Sequence, residues 1–195
     1  MAADHECTCN TNPLVPSLCK VVEVTQETPD IQTYTIRTLD DKKPFSPLPG
    51  QLAMVSLLGV GEAMFSITAQ GEDYIQCAVK RTGMLTDAFH EMHPGQQIGV
   101  RGPYGNHFPI DDLKGTDILF VGGGVGLAPV RSLIRYVFEH RSDFGHIDIL
   151  YGARSKEDIC FKQDCFENWP NQPDTDVYIT TDVPSDDWDG HVGFV

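Results

Sequence analysis

No stretch of this 195-residue chain approaches the ~20 continuous apolar residues of a membrane-spanning helix. The opening MAADHECTCN also lacks the basic and apolar regions of a secretory leader, so the expected compartment is the cytoplasm. Basic residues are scarce, 14 Lys and Arg against 28 Asp and Glu, for a formal net charge of −14. Such a chain repels nucleic acid and anionic membranes, and neither is an expected partner. No Ser/His/Asp or paired-carboxylate arrangement stands out, so no side chain is assigned a catalytic role. His90 and His93, the close histidine pair, end a helix at His93-Pro94 without a carboxylate ligand set, and no metal site is expected.

The six cysteines (Cys7, Cys9, Cys19, Cys77, Cys160 and Cys165) match no strong zinc spacing, and in a reducing compartment free thiols are the expectation. Cys7, Cys9 and Cys19 raise the question of an iron–sulfur ligand set, but three thiolates fall short of four, and a flexible tail is the simpler reading. Cys160 and Cys165, five apart on an expected helix, lie on different faces and read as core thiols.

What is present divides the chain. Residues 1–17 are polar and aperiodic and read as a tail. Between residues 18 and 110 come short β-rich runs, KVVEVTQ, IQTYTIRT, QLAMVSLL, AMFSITA, YIQCAVK and QIGVRG, separated by turn sequences. This spacing predicts a small antiparallel barrel. One helix interrupts it, because Leu85, Ala88, Phe89 and Met92 recur at helical spacing within 84–92. From 111 to 195 the pattern becomes parallel α/β: DILFV, helix, IDILY, helix, VYIT, with a boundary near 108–115.

The apolar run Ile118–Val121 reads as a strand buried on both faces and leads directly into Gly122, Gly123 and Gly124. Beyond it, Val130, Leu133, Ile134, Val137 and Phe138 mark a helix with one apolar face. Strand, glycine turn and helix in that order present backbone N–H groups to a pyrophosphate. The usual dinucleotide fingerprint has a third glycine where this chain has Pro129, and an acidic residue at the end of the second strand where it has Gly152, Ala153 and Arg154. Pro129 suits the first turn of a helix, where its missing N–H costs nothing. Arg154 and Lys156 stand where an adenosine phosphate or ribose could sit, or on a solvated loop, which leaves NAD and NADP both open.

The ordered set PGQ (49–51), FSI (65–67), VKRTGMLT (79–86), RGPYG (101–105), GGGVGLAP (122–129), YGAR (151–154) and GHVG (190–193) resembles the ferredoxin–NADP reductase-like flavoprotein superfamily. Within it the chain is most similar to the electron-transfer subunits of cytosolic hydrogenases (gamma), anaerobic sulfite reductases and dihydroorotate dehydrogenase B. The resemblance covers about residues 12–195. It implies an N-terminal antiparallel FAD-binding β-barrel followed by a parallel α/β NAD(P)-binding domain.

Carried over residue by residue, Phe65, Ser66 and Ile67 would lie against the isoalloxazine. Lys80, Gly83, Met84, Leu85 and Thr86 would serve the FAD pyrophosphate, with the Thr86 hydroxyl among its donors. Gly122, Gly123, Gly124, Gly126, Pro129 and Arg154 would serve the pyridine nucleotide. The superfamily's arginine two residues before the flavin aromatic is Ala63 here, within GEAM (61–64), a variant similar to the hydrogenase and sulfite reductase branches. The implied function is a subunit that passes electrons between NAD(P)H and an iron–sulfur partner in a larger complex, such as a hydrogenase or sulfite reductase. A stand-alone flavin or ferredoxin reductase and a non-enzymatic flavin-binding module are the alternatives. The flavin would carry the redox chemistry, consistent with the lack of an acid–base constellation.

The family's nucleotide domain has a five-stranded sheet ordered 3-2-1-4-5, of which this sequence supplies the first three strands. The domain is therefore expected to be truncated at its C-terminus. The Cys-Gly-Pro segment and the iron–sulfur cluster of the relatives are expected in the missing C-terminal part, not in this chain. The first strand should consequently present an unpaired, apolar edge.

Overall fold

The computed structural model describes residues 14–195. Cys7 and Cys9 lie outside the described residues. Six strands close into a barrel in the order β1-β2-β5-β4-β3-β6: β1 (Ser17–Thr28), β2 (Ile31–Thr38), β3 (Leu52–Leu57), β4 (Gly61–Gln70), β5 (Ile75–Lys80) and β6 (Gln97–Tyr104). Every pairing is antiparallel. Val21, Ile36, Val55, Ile75, Ile98 and Val100 point inward from these strands and make the barrel core.

Cys19, on β1, is also buried there, and desolvation pushes its thiol up to about 12. A thiol held in that way is a core side chain rather than a cluster ligand.

Helix α1 (Met84–His90) enters between β5 and β6 and stoppers the barrel. Phe89 is buried and meets the rings of Tyr34 and Phe65 edge-on, each at 5.5 Å between centroids. The Tyr34 hydroxyl donates to the Phe89 carbonyl at 2.7 Å, which satisfies the last turn of the helix inside the apolar core.

The second lobe begins after a one-turn helix, α2 (Ile110–Leu113). Its parallel sheet runs β10-β9-β8-β7, from β7 (Ile118–Gly123), β8 (Ile147–Ala153), β9 (Thr175–Thr181) and a two-residue strand β10 (His191–Val192). The three anticipated strands thus gain a fourth within the GHVG motif. Helix α3 (Leu127–Glu139) packs on one face of the sheet, burying Leu127, Leu133, Ile134 and Val137.

Two expectations are corrected. Strand β7 is not buried on both faces: Ile118 and Phe120 face α3, whereas Leu119 and Val121 are 59% and 52% exposed, because α3 covers one side only. β7 is also the edge of the sheet among the described residues. The second α/β crossover is not a regular helix carrying both cysteines. Cys160 precedes it in a bend, and a π-type turn at Asp164–Asn168 holds Cys165. Tertiary contacts override the local pattern there. Phe161 adopts a left-handed φ of 52° and donates its N–H to Glu27 of the barrel at 2.8 Å. Cys160 and Cys165 are both buried core thiols, and desolvation raises both.

A buried cation also joins the lobes. Arg131 of α3 places Nε 2.6 Å from Asp164 Oδ2 and Nη1 3.2 Å from Gln76 Oε1 on β5, with its guanidinium 4.6 Å from the centre of the Phe161 ring. Removing one partner of a buried pair strands the other charge. Asp164→Ala is therefore expected to cost about 3 kcal/mol of stability in urea denaturation, and Arg131→Lys to be destabilising as well, because a single ammonium cannot reproduce the fork that reaches Asp164 and Gln76 together.

At the opposite end of the sheet, His146 Nδ1 lies 2.9 Å from Asp174 Oδ1, and Nε2 lies 3.5 Å and 3.4 Å from Asp148 and Asp176. The Asp174 hydrogen bond, aided by the charges of Asp148, Asp174 and Asp176, raises the imidazole above its ordinary 6.5. The stability it contributes is fully present below about pH 6.5 and is lost as pH rises through the raised folded value. His146→Gln should flatten this segment of the stability–pH curve, measured as the urea midpoint from pH 5.5 to 8.5.

Candidate functional site

The barrel wall has a seam. β4 pairs with β3 along Gly61–Ser66, but with β5 only through Ile67, Ala69 and Gln70, with a bulge between Ile67 and Ala69. β5 continues pairing with β2 as far as Lys80. The β5-side backbone of β4 over Ala63–Ser66, and the facing backbone of Ala78–Lys80, therefore have no ladder partner across the gap. Unpaired strand edges offer N–H and C=O groups to a planar heteroaromatic ligand as readily as to another strand. Phe65 and Ser66 are half-buried on this stretch and Ile67 is buried where pairing resumes.

Helix α1 starts directly below the seam and packs against both β4 and β5. The Thr86 hydroxyl accepts from the N–H groups of Thr82 and Gly83 at 2.8 and 2.9 Å and donates to the Gly83 carbonyl. That hydroxyl is thus committed to holding the turn. The first helical N–H groups, Met84 to Thr86, have no carbonyl acceptor among the described residues. A Cβ at Gly83 would meet nothing within 4 Å, so the approach to these donors is open. Lys80 and Arg81 flank it; Lys80 lies 3.4 Å from Asp30, and Arg81 lies 2.8 Å from Asp87. Arg81, not singled out from the sequence, is a cation beside the helix start in a chain whose Ala63 lacks the family's arginine. An anionic pyrophosphate fits this donor set.

In the second lobe the glycines separate by role. A Cβ at Gly122 would come within 3.2 Å of Leu127 Cδ1, so this position serves close strand-to-helix packing. Gly124 has φ +51°, and a Cβ there would meet nothing within 4 Å, so its requirement is conformational, in the left-handed region. Gly126, the N-cap of α3, has ordinary helical φ and also faces open space. Pro129 sits in the first turn. Beneath the turn, the buried Tyr151 donates its hydroxyl to the Gly124 carbonyl at 3.3 Å and accepts the Cys160 N–H at 3.1 Å. Tyr151 is a prop invisible in the sequence, where it reads as one more strand residue.

Along α3, Arg131 reaches Gln76, Ser132 Oγ accepts the Gly50 N–H at 3.1 Å, and Arg135, Tyr136 and Glu139 line a pocket with Ile67, Ala69 and Gln70. Leu127 and Ala128 of the first turn of α3 belong to the same apolar cluster as Ala78 and Ile31 of the barrel. Arg154, just past β8, shares this neighbourhood: against the burial that would raise it, the Thr28 hydroxyl and the charges of Lys80 and Arg154 hold the Asp30 carboxyl below its usual range. Lys80 of the barrel and Arg154 of the second lobe thus both act on Asp30 across the cleft between the lobes.

Gly124→Ala should lower stability by about 1 kcal/mol through backbone strain, whereas Gly126→Ala, in helical conformation and open space, should leave it unchanged or slightly higher. Thermal unfolding of the two variants distinguishes them.

The oxidoreductase NAD-binding domain family matches residues 120–195. The gamma subunit of sulfhydrogenase 2 from Pyrococcus furiosus is 33% identical over 78% of this chain and 54% of its own length. The electron-transfer subunit of a probable dihydroorotate dehydrogenase B (NAD(+)) from Methanocaldococcus jannaschii is 37% identical over 75% and 51%. The chain spans about half the length of the curated relatives it matches. Among solved structures, the FAD/NAD-binding domain of nitric oxide dioxygenase from Vibrio cholerae superposes with a TM-score of 0.80 at 17% identity, covering 93% of this chain and 80% of that one. The ferredoxin reductase of carbazole 1,9a-dioxygenase gives 0.75 at 22%, covering 91% and 54%. No helix of the described residues is long and apolar enough to cross a membrane. An antiparallel barrel with an open seam, a parallel sheet opening on a glycine turn, and these relatives agree: the chain belongs to the ferredoxin–NADP reductase-like FAD/NAD-binding superfamily.

Proposed function

We propose that this chain is the reductase portion of a cytoplasmic electron-transfer subunit, binding FAD in the barrel and NAD(P)H on the α/β lobe. In this reading it passes electrons between the nucleotide and an iron–sulfur partner in a larger redox complex of the hydrogenase or sulfite reductase kind. The observation that carries it is the presence of two unobstructed backbone cradles, at α1 of the barrel and at the glycine turn of the second lobe, on lobes joined through α3. A bound flavin supplies the conversion between two-electron hydride chemistry and one-electron transfer. The chain's own contribution is positional. The seam edges of Ala63–Ser66 and Ala78–Lys80 would engage the ring's polar atoms, and Phe65, braced by Phe89, would give it an apolar wall. The open N–H groups of Met84–Thr86 would hold its pyrophosphate, with Lys80 and Arg81, each shared with a carboxylate, beside it, and Gly124 and Gly126 would admit the nucleotide's. Fixing two ligands on one rigid scaffold replaces a bimolecular encounter with a preset geometry.

The sequence relatives support the subunit reading, since both are named as subunits of larger enzymes. The domain limits 18–110 and 111–195 belong to the same proposal.

The test is optical. Protein titrated with FAD should bind it and show a structured flavin spectrum, and Gly83→Asp, which puts a carboxylate into the open approach to α1 without touching packed atoms, should weaken FAD at least about tenfold. Circular dichroism and thermal unfolding should match the parent. A protein that neither retains nor takes up flavin would remove the foundation of this reading.

A further inference from the structure

Strand β8 ends at Ala153, with no carboxylate at its tip to meet a nucleotide ribose, and the next three residues, Arg154, Ser155 and Lys156, look by composition like a phosphate site. The fold gives them different work. The chain turns back on itself at once, with the Asp158 N–H bonded to the Ser155 carbonyl at 3.1 Å. This brings Asp158 Oδ2 to 3.9 Å from Arg154 Nε. The Ser155 hydroxyl lies 2.9 Å from Glu157 Oε2 and 3.1 Å from Asp158 Oδ2. Lys156 Nζ is bonded to both the carbonyl and Oδ2 of Asp187, at 2.8 and 2.7 Å, and Ser185 donates to the other oxygen of that carboxylate at 2.8 Å.

Lys156 and Ser155 are therefore bonded to carboxylates, and Arg154, whose side chain is 70% exposed, stands beside Asp158, so that two cations share the turn with Glu157, Asp158 and Asp187. Asp182, Asp186 and Asp189 follow in the same acidic stretch, and none of the described contacts brings a further cation to them. We infer that the ribose subsite beyond β8 accepts a free 2′-hydroxyl and rejects a 2′-phosphate, so that the dinucleotide of this site is NAD(H) and not NADP(H). This rests on the proposal that the glycine turn binds a pyridine dinucleotide.

The physical reason is an exchange of partners. A 2′-phosphate dianion would have to displace Asp187 from Lys156 and share Arg154 with Asp158 while lying beside Glu157, Asp158 and Asp187, with like charges in contact. A ribose diol instead donates hydrogen bonds, and carboxylates are what it needs as acceptors. The acidic residue that the dinucleotide fingerprint places at the strand tip is thus supplied a few residues later, by the turn that folds Glu157 and Asp158 back.

The experiment is equilibrium binding of NAD⁺ and NADP⁺ to the full chain, by calorimetry, with and without bound FAD. NAD⁺ should bind at least about tenfold more tightly. Asp158→Asn combined with Asp187→Asn frees both cations and should narrow or reverse that ratio mainly by strengthening NADP⁺, and Glu157→Gln should move it in the same direction. Thermal unfolding checks that each variant is folded. Equal or tighter binding of NADP⁺ by the parent protein overturns the inference and leaves the nucleotide site standing. An unchanged ratio in folded variants overturns the carboxylate cause. Binding of neither dinucleotide overturns the nucleotide site itself and the inference with it.

Discussion

The Arg131 guanidinium is the constraint on which the geometry of the cleft depends. It is donated by the helix that carries the glycine turn, and its partners come from elsewhere: Asp164 from the crossover after β8, Gln76 from the barrel, and the face of Phe161. A planar cation with several donors can satisfy an acid, an amide and an aromatic face at once. With Phe161 also tied to Glu27, the crossover is clamped to the barrel wall. The orientation of α3 across β4, and hence the direction in which its first turn points, follows from these contacts.

That clamp accounts for features that local rules would not produce. A left-handed Phe161, a π-type turn and a bend at Cys160 are costly individually, and they persist where surrounding structure over-determines them. In return, Tyr151 is trapped below the glycine turn with its hydroxyl shared between Gly124 and Cys160. The turn is thereby held in shape from beneath while its upper surface stays open. The barrel solves the complementary problem. Its seam leaves two strand edges unpaired where a ligand can use them, and α1, pinned by Phe89 and by the Tyr34 hydroxyl, keeps the wall from closing. Both cradles are rigid because polar bonds are satisfied behind them and accessible because none are made in front.

Charge distribution gives the cleft its character. A chain this acidic has few cations, and Lys80, Arg81, Arg154 and Lys156 stand around the two cradles. Each is matched by one or more carboxylates, Asp30, Asp87, Asp158 or Asp187. Counting basic residues along the sequence could not show which of them remain available to a ligand, since availability depends on which acids fold back onto them.

The sequence by itself determined the barrel, its interrupting helix, the parallel lobe and the strand–turn–helix unit, because alternation, helical spacing and glycine placement are local signals read over a few residues. The ordered motifs determined the superfamily. Tertiary structure alone decided that Leu119 and Val121 are exposed, that the second crossover is a clamped turn, that the Thr86 hydroxyl holds its own helix start, and that Tyr151 props the glycine loop. It also decided which cations are neutralised. These outcomes depend on contacts between residues far apart in the chain, Arg131 with Gln76, Glu27 with Phe161, Lys156 with Asp187, and no local periodicity encodes a partner that only folding brings near.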